Sequence, residues 1–241
     1  MNEGKPDELG VKPPAQPAAE EKTTGIGSDK FLIISVVLIV LLLISIFAFS
    51  AFNNTRQKTL EELHALNFQG KLKPSEGYVY KGVYSFINIS NQWYTLLNSP
   101  QGKKVYSMAF RYSPKEVENI PIEGMLDTKL FDNKGEFYVT FNPKGKELAY
   151  VVLAVADFDT HMAKVFEKMP IPACDRNETE ACKTRPIISC KDTDKIVLYV
   201  QESEKVRAYY KGNCIVVEGK GLDLVKGVDR ILFNLYNIMD K

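Results

Sequence analysis

A chain of 241 residues and 27.2 kDa holds one or two domains. Its 31 Lys and Arg against 30 Asp and Glu give a formal charge of +1, so it has neither the basic excess of a nucleic-acid binder nor an acidic interaction tail. Hydrophobic residues at 45% and charged residues at 25% exclude wholesale disorder and a collagen-like repeat.

Residues 1–30 carry four lysines, six acidic residues, four prolines and no aromatic side chain. Such a segment buries too little apolar surface to offset its ordering entropy, and a disordered tail is expected. Phe31 to Phe52 follows as an uncharged, almost wholly apolar run of 22 residues. As a helix it measures ~33 Å against a hydrocarbon core of about 30 Å, which predicts a single transmembrane helix. Ala48-Phe49-Ser50 offers small residues at the spacing of a signal-peptidase site, but signal cores run to only about 7–15 residues, so an uncleaved signal anchor is the reading. No cysteine ends the run, which removes a lipoprotein anchor.

Flanking charge does not choose an orientation, since Lys22 and Lys30 precede the span and Arg56 and Lys58 follow it. Cysteines do choose. Cys174, Cys182, Cys190 and Cys214 all lie in the C-terminal part without a CxxC pair, a pattern that favours disulfides over zinc and hence an oxidising compartment. Asn88-Ile89-Ser90 and Asn177-Glu178-Thr179 add glycosylation-type sequons on the same side. The tail is therefore expected in the cytoplasm and residues 53–241 outside.

Residues 53–74 read as a juxtamembrane stalk helix and linker, with Leu60, Leu63 and Leu66 on one stripe, His64 solvated, and Gly70 and Pro74 as the stop. Residues 75–125 contain nine aromatics between Tyr78 and Tyr112. Their short β-prone runs, separated by Lys81-Gly82, Asn88 to Asn91 and Ser99-Pro100-Gln101-Gly102, predict an antiparallel meander in which the rings form core pairs, a sugar or nucleobase platform being the alternative. Ser113-Pro114 caps a short helix.

Residues 126–241 read as a hairpin of Leu130-Phe131 with Glu136 to Phe141, then a helix from Asn142-Pro143 to about Lys168 with Val151, Val155, Phe158 and Met162 as its core stripe. A cysteine-bearing loop, Pro170 to Arg185, precedes strands at 186–189, 195–200, 206–210 and 214–218 and a last helix from Gly221 to about Met239. The fold class is α+β, a mostly antiparallel sheet with two packed helices.

Chemistry-bearing patterns are few. Asp157 and His161 stand four apart on a helix, but no third ligand is visible, so no metal site is assigned and the pair reads as a solvated face. No GxSxG, HExxH or Walker-type pattern occurs, and neither catalytic residues nor a cofactor are assigned. Gly219-Lys220-Gly221 is the sharpest local feature, a strand-to-helix turn whose amides suit a small anion. For the disulfides the pairing predicted is Cys174 with Cys182, which closes a polar loop, and Cys190 with Cys214, which joins neighbouring strands.

The succession Gln92-Trp93-Tyr94-Thr95, Arg111-Tyr112-Ser113-Pro114-Lys115-Glu116, Cys174 with Cys182, Pro186 to Cys190, Asn213-Cys214, Asp229-Arg230 and Tyr236-Asn237-Ile238-Met239 resembles that of uncharacterised single-pass membrane proteins of archaea. The resemblance spans most of residues 75–240 and implies an archaeal-type envelope setting without a catalytic assignment. A membrane-anchored extracytoplasmic binding or interaction protein is the expected function, with the membrane and other envelope proteins as partners and no nucleic acid. The alternative is an extracytoplasmic enzyme or anion binder at Gly219 to Gly221.

Overall fold

The computed structural model describes residues 28–53, 58–100 and 102–240. The chain divides into two compact units, Met1–Gln57 and Lys58–Lys241. In the first, α1 (Ser28–Asn53) is a helix of 26 residues. Its stretch Lys30–Ser50 has a mean hydropathy of 3.3 and is long and apolar enough to cross a membrane. Apolar side chains face outward all round it, from Phe31 to Phe49, as a lipid-facing helix requires. The tail expected over residues 1–30 falls, up to residue 27, outside the described residues.

The second unit is α+β. It opens with α2 (Leu60–Phe68), which a full capping box starts: Thr59 Oγ1 accepts from the Glu62 amide and the Glu62 carboxylate accepts from the Thr59 amide. Strands β1 (Gly77–Tyr80), β2 (Tyr84–Ile89), β3 (Gln92–Asn98) and β4 (Val105–Phe110) form an antiparallel four-stranded sheet in the order of the chain. Ser90 and Asn91 join β2 to β3 with φ of 52° and 61°, the two positive values of a tight hairpin turn.

Where a stalk was expected, α2 instead packs on β1 and β2. His64 and Asn67 are both buried. The Asn67 amide donates to Tyr78 O, Ser85 Oγ and Phe86 O at 2.9, 2.7 and 3.1 Å, and Ser85 Oγ lies 2.8 Å from His64 Nδ1. The leucine stripe signalled a helix but not its partner. Asn67→Ala is expected to destabilise the domain by about 1–3 kcal/mol, because its buried amide is what hydrogen-bonds α2 to β1 and β2. Thermal unfolding followed through the emission of Trp93, the single tryptophan, checks this, and an unchanged melt would mean that α2 is dispensable.

Beyond the first sheet come α3 (Pro114–Val117), β5 (Ile122–Glu123), α4 (Thr128–Asn133), β6 (Glu136–Phe141), α5 (Leu148–Lys164), β7 (Met169–Pro172), α6 (Glu180–Lys183), β8 (Val197–Glu202), β9 (Arg207–Lys211), β10 (Cys214–Gly219) and α7 (Asp223–Leu235). A second, six-stranded sheet has the order β5-β9-β10-β8-β6-β7. Antiparallel pairing holds throughout the first sheet and between β9 and β10. The second sheet is otherwise parallel, at β10–β8, β8–β6, β6–β7 and β5–β9, and α5 carries the chain across between β6 and β7 as a βαβ crossover.

Four further local expectations change. Leu130-Phe131 is helical rather than extended, since the Asp127 side chain accepts from the Leu130 amide at 2.9 Å and caps α4. Asn142 starts a turn rather than α5: its Oδ1 accepts from the Lys144 amide and its carbonyl from Gly145. Residues 186–189 form no strand, only a bridge between Ile187 and Cys174. The stretch read as loop after Pro170 begins with an edge strand, β7, where prolines are tolerated because no partner needs their missing donors.

The larger of two buried clusters runs through the unit from sheet to sheet. Helices α5 and α7 lie against each other, α7 against β9 and β10, and α5 reaches β4. Gly227 lets α7 approach β10, for a Cβ there would stand 2.6 Å from Val217 Cγ1. From α7, Phe233 stacks on Phe110 at 4.4 Å and meets Phe86 edge-on at 5.7 Å, so it joins the helix layer to the four-stranded sheet. The opposite face of the six-stranded sheet is covered by the cysteine-bearing segment, with Ala173, Ile188, Val197, Cys214 and Val216 in one cluster and Thr140 Oγ1 donating to Ile188 O.

Candidate functional site

Gly219, Lys220 and Gly221 stand at the carboxyl ends of the parallel strands, the crevice in which open α/β sheets place ligands. Two carboxylates of the chain fill it. Glu147 accepts from the Gly221 amide at 3.2 Å, and the Glu147 amide donates to Glu202 at 2.9 Å. The loop folds so tightly over Glu202 that a Cβ on Gly145 would stand 2.0 Å from its Oε1. Lys220 pairs with Glu204 at 3.1 Å, and the amides of Asp223 and Leu224 bond back to Lys220 O and Gly221 O. The donors proposed for an anion are therefore committed, and the surrounding charge is negative.

Neither histidine is solvated, which corrects both expectations. His64 is buried on the face of α2 that packs on β2, and burial holds its pKa below the ordinary value despite the nearby Glu61 carboxylate. His161 is 1% exposed. Its Nε2 lies 3.0 Å from Ala109 O, and its Nδ1 lies 2.9 Å from the Tyr236 hydroxyl. A carbonyl only accepts, so Nε2 carries the hydrogen and Nδ1 accepts from Tyr236. Asp157 does not join it, being bound to Arg111 at 2.6 Å. Among the described residues no group of three or more His, Cys, Asp or Glu side chains is placed to hold a metal.

Burial lowers the His161 pKa to about 4, the Ala109 hydrogen bond opposing it. The unfolded chain then binds a proton that the folded one refuses, so this residue's contribution is intact above pH ~6.5 and falls by about 1.4 kcal/mol per unit down to pH ~4. Asp159 acts oppositely, since burial raises its carboxyl to about 6 and the folded state binds the extra proton. His161→Gln retains a donor and an acceptor without the charge. The stability of the native protein minus that of H161Q is expected to decrease from pH 6.5 to 4. A difference flat across that range would mean that His161 ionises freely in the fold.

Sequence reasoning gave no role to the buried charges of α7. Asp229 Oδ2 accepts from the Tyr112 amide at 2.8 Å, and burial holds its carboxyl well above the usual range. The Arg230 Nε donates to Ile120 O at 2.7 Å, and its Nη2 to Asp240 O. Both tie irregular backbone to the helix. Lys168 does the same for α4, donating to Phe131 O and Lys134 O. All three are structural, and each served a main-chain partner that only the tertiary fold supplies.

The disulfides pair as expected, Cys174 with Cys182 and Cys190 with Cys214, with Cα separations of 5.9 and 5.3 Å. Asn177 is exposed between the first two cysteines, whereas Asn88 is half-buried in β2 opposite Trp93. Asn177 thus has the open surroundings that a bulky sugar needs.

A groove of about 670 Å³ among the described residues was not found by sequence reasoning, and its volume is within the usual ~300–1,000 Å³ of small-molecule sites. It lies between the end of β3, α4 with its preceding loop, and the end of α7. Phe131, Phe166 and Tyr236 form its aromatic wall, with ring centroids 5.8 Å apart for Phe131–Phe166 and 5.0 Å for Phe166–Tyr236. Tyr210 adds a fourth ring, its hydroxyl spent on Asn234 Oδ1 at 2.8 Å. Asn98, Thr128, Asp132 and Asn237 stand exposed along the rim. These residues come from five separated segments, so no motif marks them. The one local signal is the polar break Asn234-Leu235-Tyr236-Asn237 in an otherwise apolar helix stripe. Neither a protein-family model, nor a curated protein, nor a solved structure matches the chain.

Proposed function

We propose that the protein is a membrane-anchored extracytoplasmic binding protein of the cell envelope, its N-terminus cytoplasmic and its α+β domain outside. The groove carries this reading: aromatic rings whose hydroxyls are already committed, edged by amide and hydroxyl side chains that face solvent, suit reversible binding. The disulfides beyond a membrane-length helix support the outside location, and the archaeal-type envelope implied by the resemblance is its setting. The anion-binding or enzymatic alternative at Gly219 to Gly221 is not carried forward, because Glu147 and Glu204 take the donors it needs.

Two measurements on intact cells test the proposal. Added protease should digest the domain beyond residue 58 and spare a tag at residue 1. A photo-crosslinking side chain at residue 98, on the groove rim, should give adducts that one at residue 191, on an exposed remote loop, does not. Protection of the domain, or identical adducts from both positions, would refute it.

A further inference from the structure

We propose that the groove bounded by α4 and the end of α7 binds a neutral saccharide, an inference that rests on the binding function just proposed and names its ligand class. A pyranose ring presents two kinds of surface: faces of C–H bonds, which pack on aromatic rings, and an edge of hydroxyls, which both donate and accept. The groove offers the complement of each. Phe131 meets Phe166 edge-on and Phe166 lies tilted by 32° against Tyr236, so the three rings line the groove as one stepped aromatic cluster. Tyr236 is held in place from behind, since its hydroxyl donates to the buried His161, which is itself anchored on Ala109 O. The ring is thus fixed before any ligand arrives, which lowers the ordering cost of binding.

Along the rim, the amides of Asn98 and Asn237 and the hydroxyl of Thr128 supply donors and acceptors in near-equal number, the pattern that matches a row of sugar hydroxyls. Charge excludes the nearest competitors. Among the described residues the lining contains no cation and one carboxylate, Asp132, so a phosphate or an acidic ligand meets repulsion without compensation. The neighbouring Lys168 ammonium is withdrawn, committed to the carbonyls of Phe131 and Lys134. A lipid tail or an apolar peptide would make no use of the amides and hydroxyl of the rim.

The test is saturation-transfer NMR on the full chain in lipid nanodiscs, with four neutral trisaccharides as probes: maltotriose, cellotriose, mannotriose and chitotriose. Glucose 6-phosphate is the anionic control. Transfer to the ring C–H protons of at least one neutral sugar is expected, with none to the phosphorylated one. The double variant Asn98→Ala, Asn237→Gly should reduce that transfer at least fivefold. Both side chains are exposed, and glycine accepts the φ of 56° found at Asn237. Asp132→Asn provides a second variant and should admit the phosphorylated sugar if charge is what excludes it. The same sugars coupled to albumin separate two sources: binding of the free trisaccharide alone marks a soluble ligand, and retention only of the conjugate marks a glycan displayed on an envelope component. No transfer and no retention, transfer unaffected by the double variant, or equal transfer to glucose 6-phosphate would each overturn the saccharide. The crosslinking contrast between residues 98 and 191 is independent of it, so a groove that crosslinks but ignores every sugar refutes this inference and leaves the binding function standing.

Discussion

Phe233→Ala is expected to destabilise the α+β unit by about 3–5 kcal/mol, the range for a buried phenylalanine that leaves a cavity. The side chain is wholly buried. It stacks on Phe110 of β4 and meets Phe86 of β2, while its helix lies on β9 and β10. Removing it therefore takes away the one ring through which α7 touches two strands of the four-stranded sheet. Against a typical domain stability of ~5–15 kcal/mol, the loss is a large share of the whole. Leu235→Ala, two residues further along α7 and half-exposed, is the comparison and should cost far less. Thermal unfolding read through Trp93, which sits in that sheet against Tyr78 at 5.4 Å, measures both. Equal shifts for the two variants would mean that Phe233 is not the link between the layers.

The elements legible in the sequence are those whose signal is local. Alternating aromatics and the turn residues Lys81-Gly82 and Asn88 to Asn91 were enough for the meander, and the apolar periodicity after Gly221 was enough for α7, because each needs only near neighbours to form. Ser113-Pro114 likewise caps α3 as read, the Glu116 carboxylate accepting from the Ser113 amide. The misreadings arise where a distant partner decides. Leu130-Phe131 looks extended until Asp127 caps it and Lys168 gathers the carbonyls at its far end. Pro170 and Pro172 look like loop until β6 offers an edge that needs none of their donors. His64 and His161 look solvated on a helical wheel, since nothing near them in sequence announces Ser85, Ala109 or Tyr236. The groove is the extreme case. Asn98, Phe131, Phe166, Tyr210 and Tyr236 converge only after both sheets and three helices are in place, whereas Gly219 to Gly221, conspicuous as a motif, turned out to be occupied by Glu147 and Glu204.

Loss of the Cys190–Cys214 bridge is expected to cost more than loss of Cys174–Cys182. The first closes a separation of 24 residues and the second one of 8. Loop-closure entropy in the unfolded chain then gives about 3–4 kcal/mol for the former and about 2–3 for the latter. Position adds to the difference. Cys214 is fully buried and opens β10, the strand that pairs with both β8 and β9, so its bridge fastens residues 190–195 to the middle of the six-stranded sheet. Asn213 reinforces that junction, donating to Asp192 O and Lys195 O at 2.8 and 2.7 Å. These bonds hold the loop in the folded state but do nothing to shrink the unfolded ensemble, which is why they do not replace the bridge. Cys182, by contrast, belongs to the four-residue α6 at the margin of the fold. In paired Cys→Ala variants, Cys190 and Cys214 together should lower the melting temperature by roughly 6–16 °C, at ~2–4 °C per kcal/mol for a domain of this size. Cys174 and Cys182 together should lower it by less. Equal or reversed shifts would show that strain or residual unfolded-state structure outweighs loop length, and four free thiols in protein isolated under thiol-blocking conditions would remove the main support for an outside location.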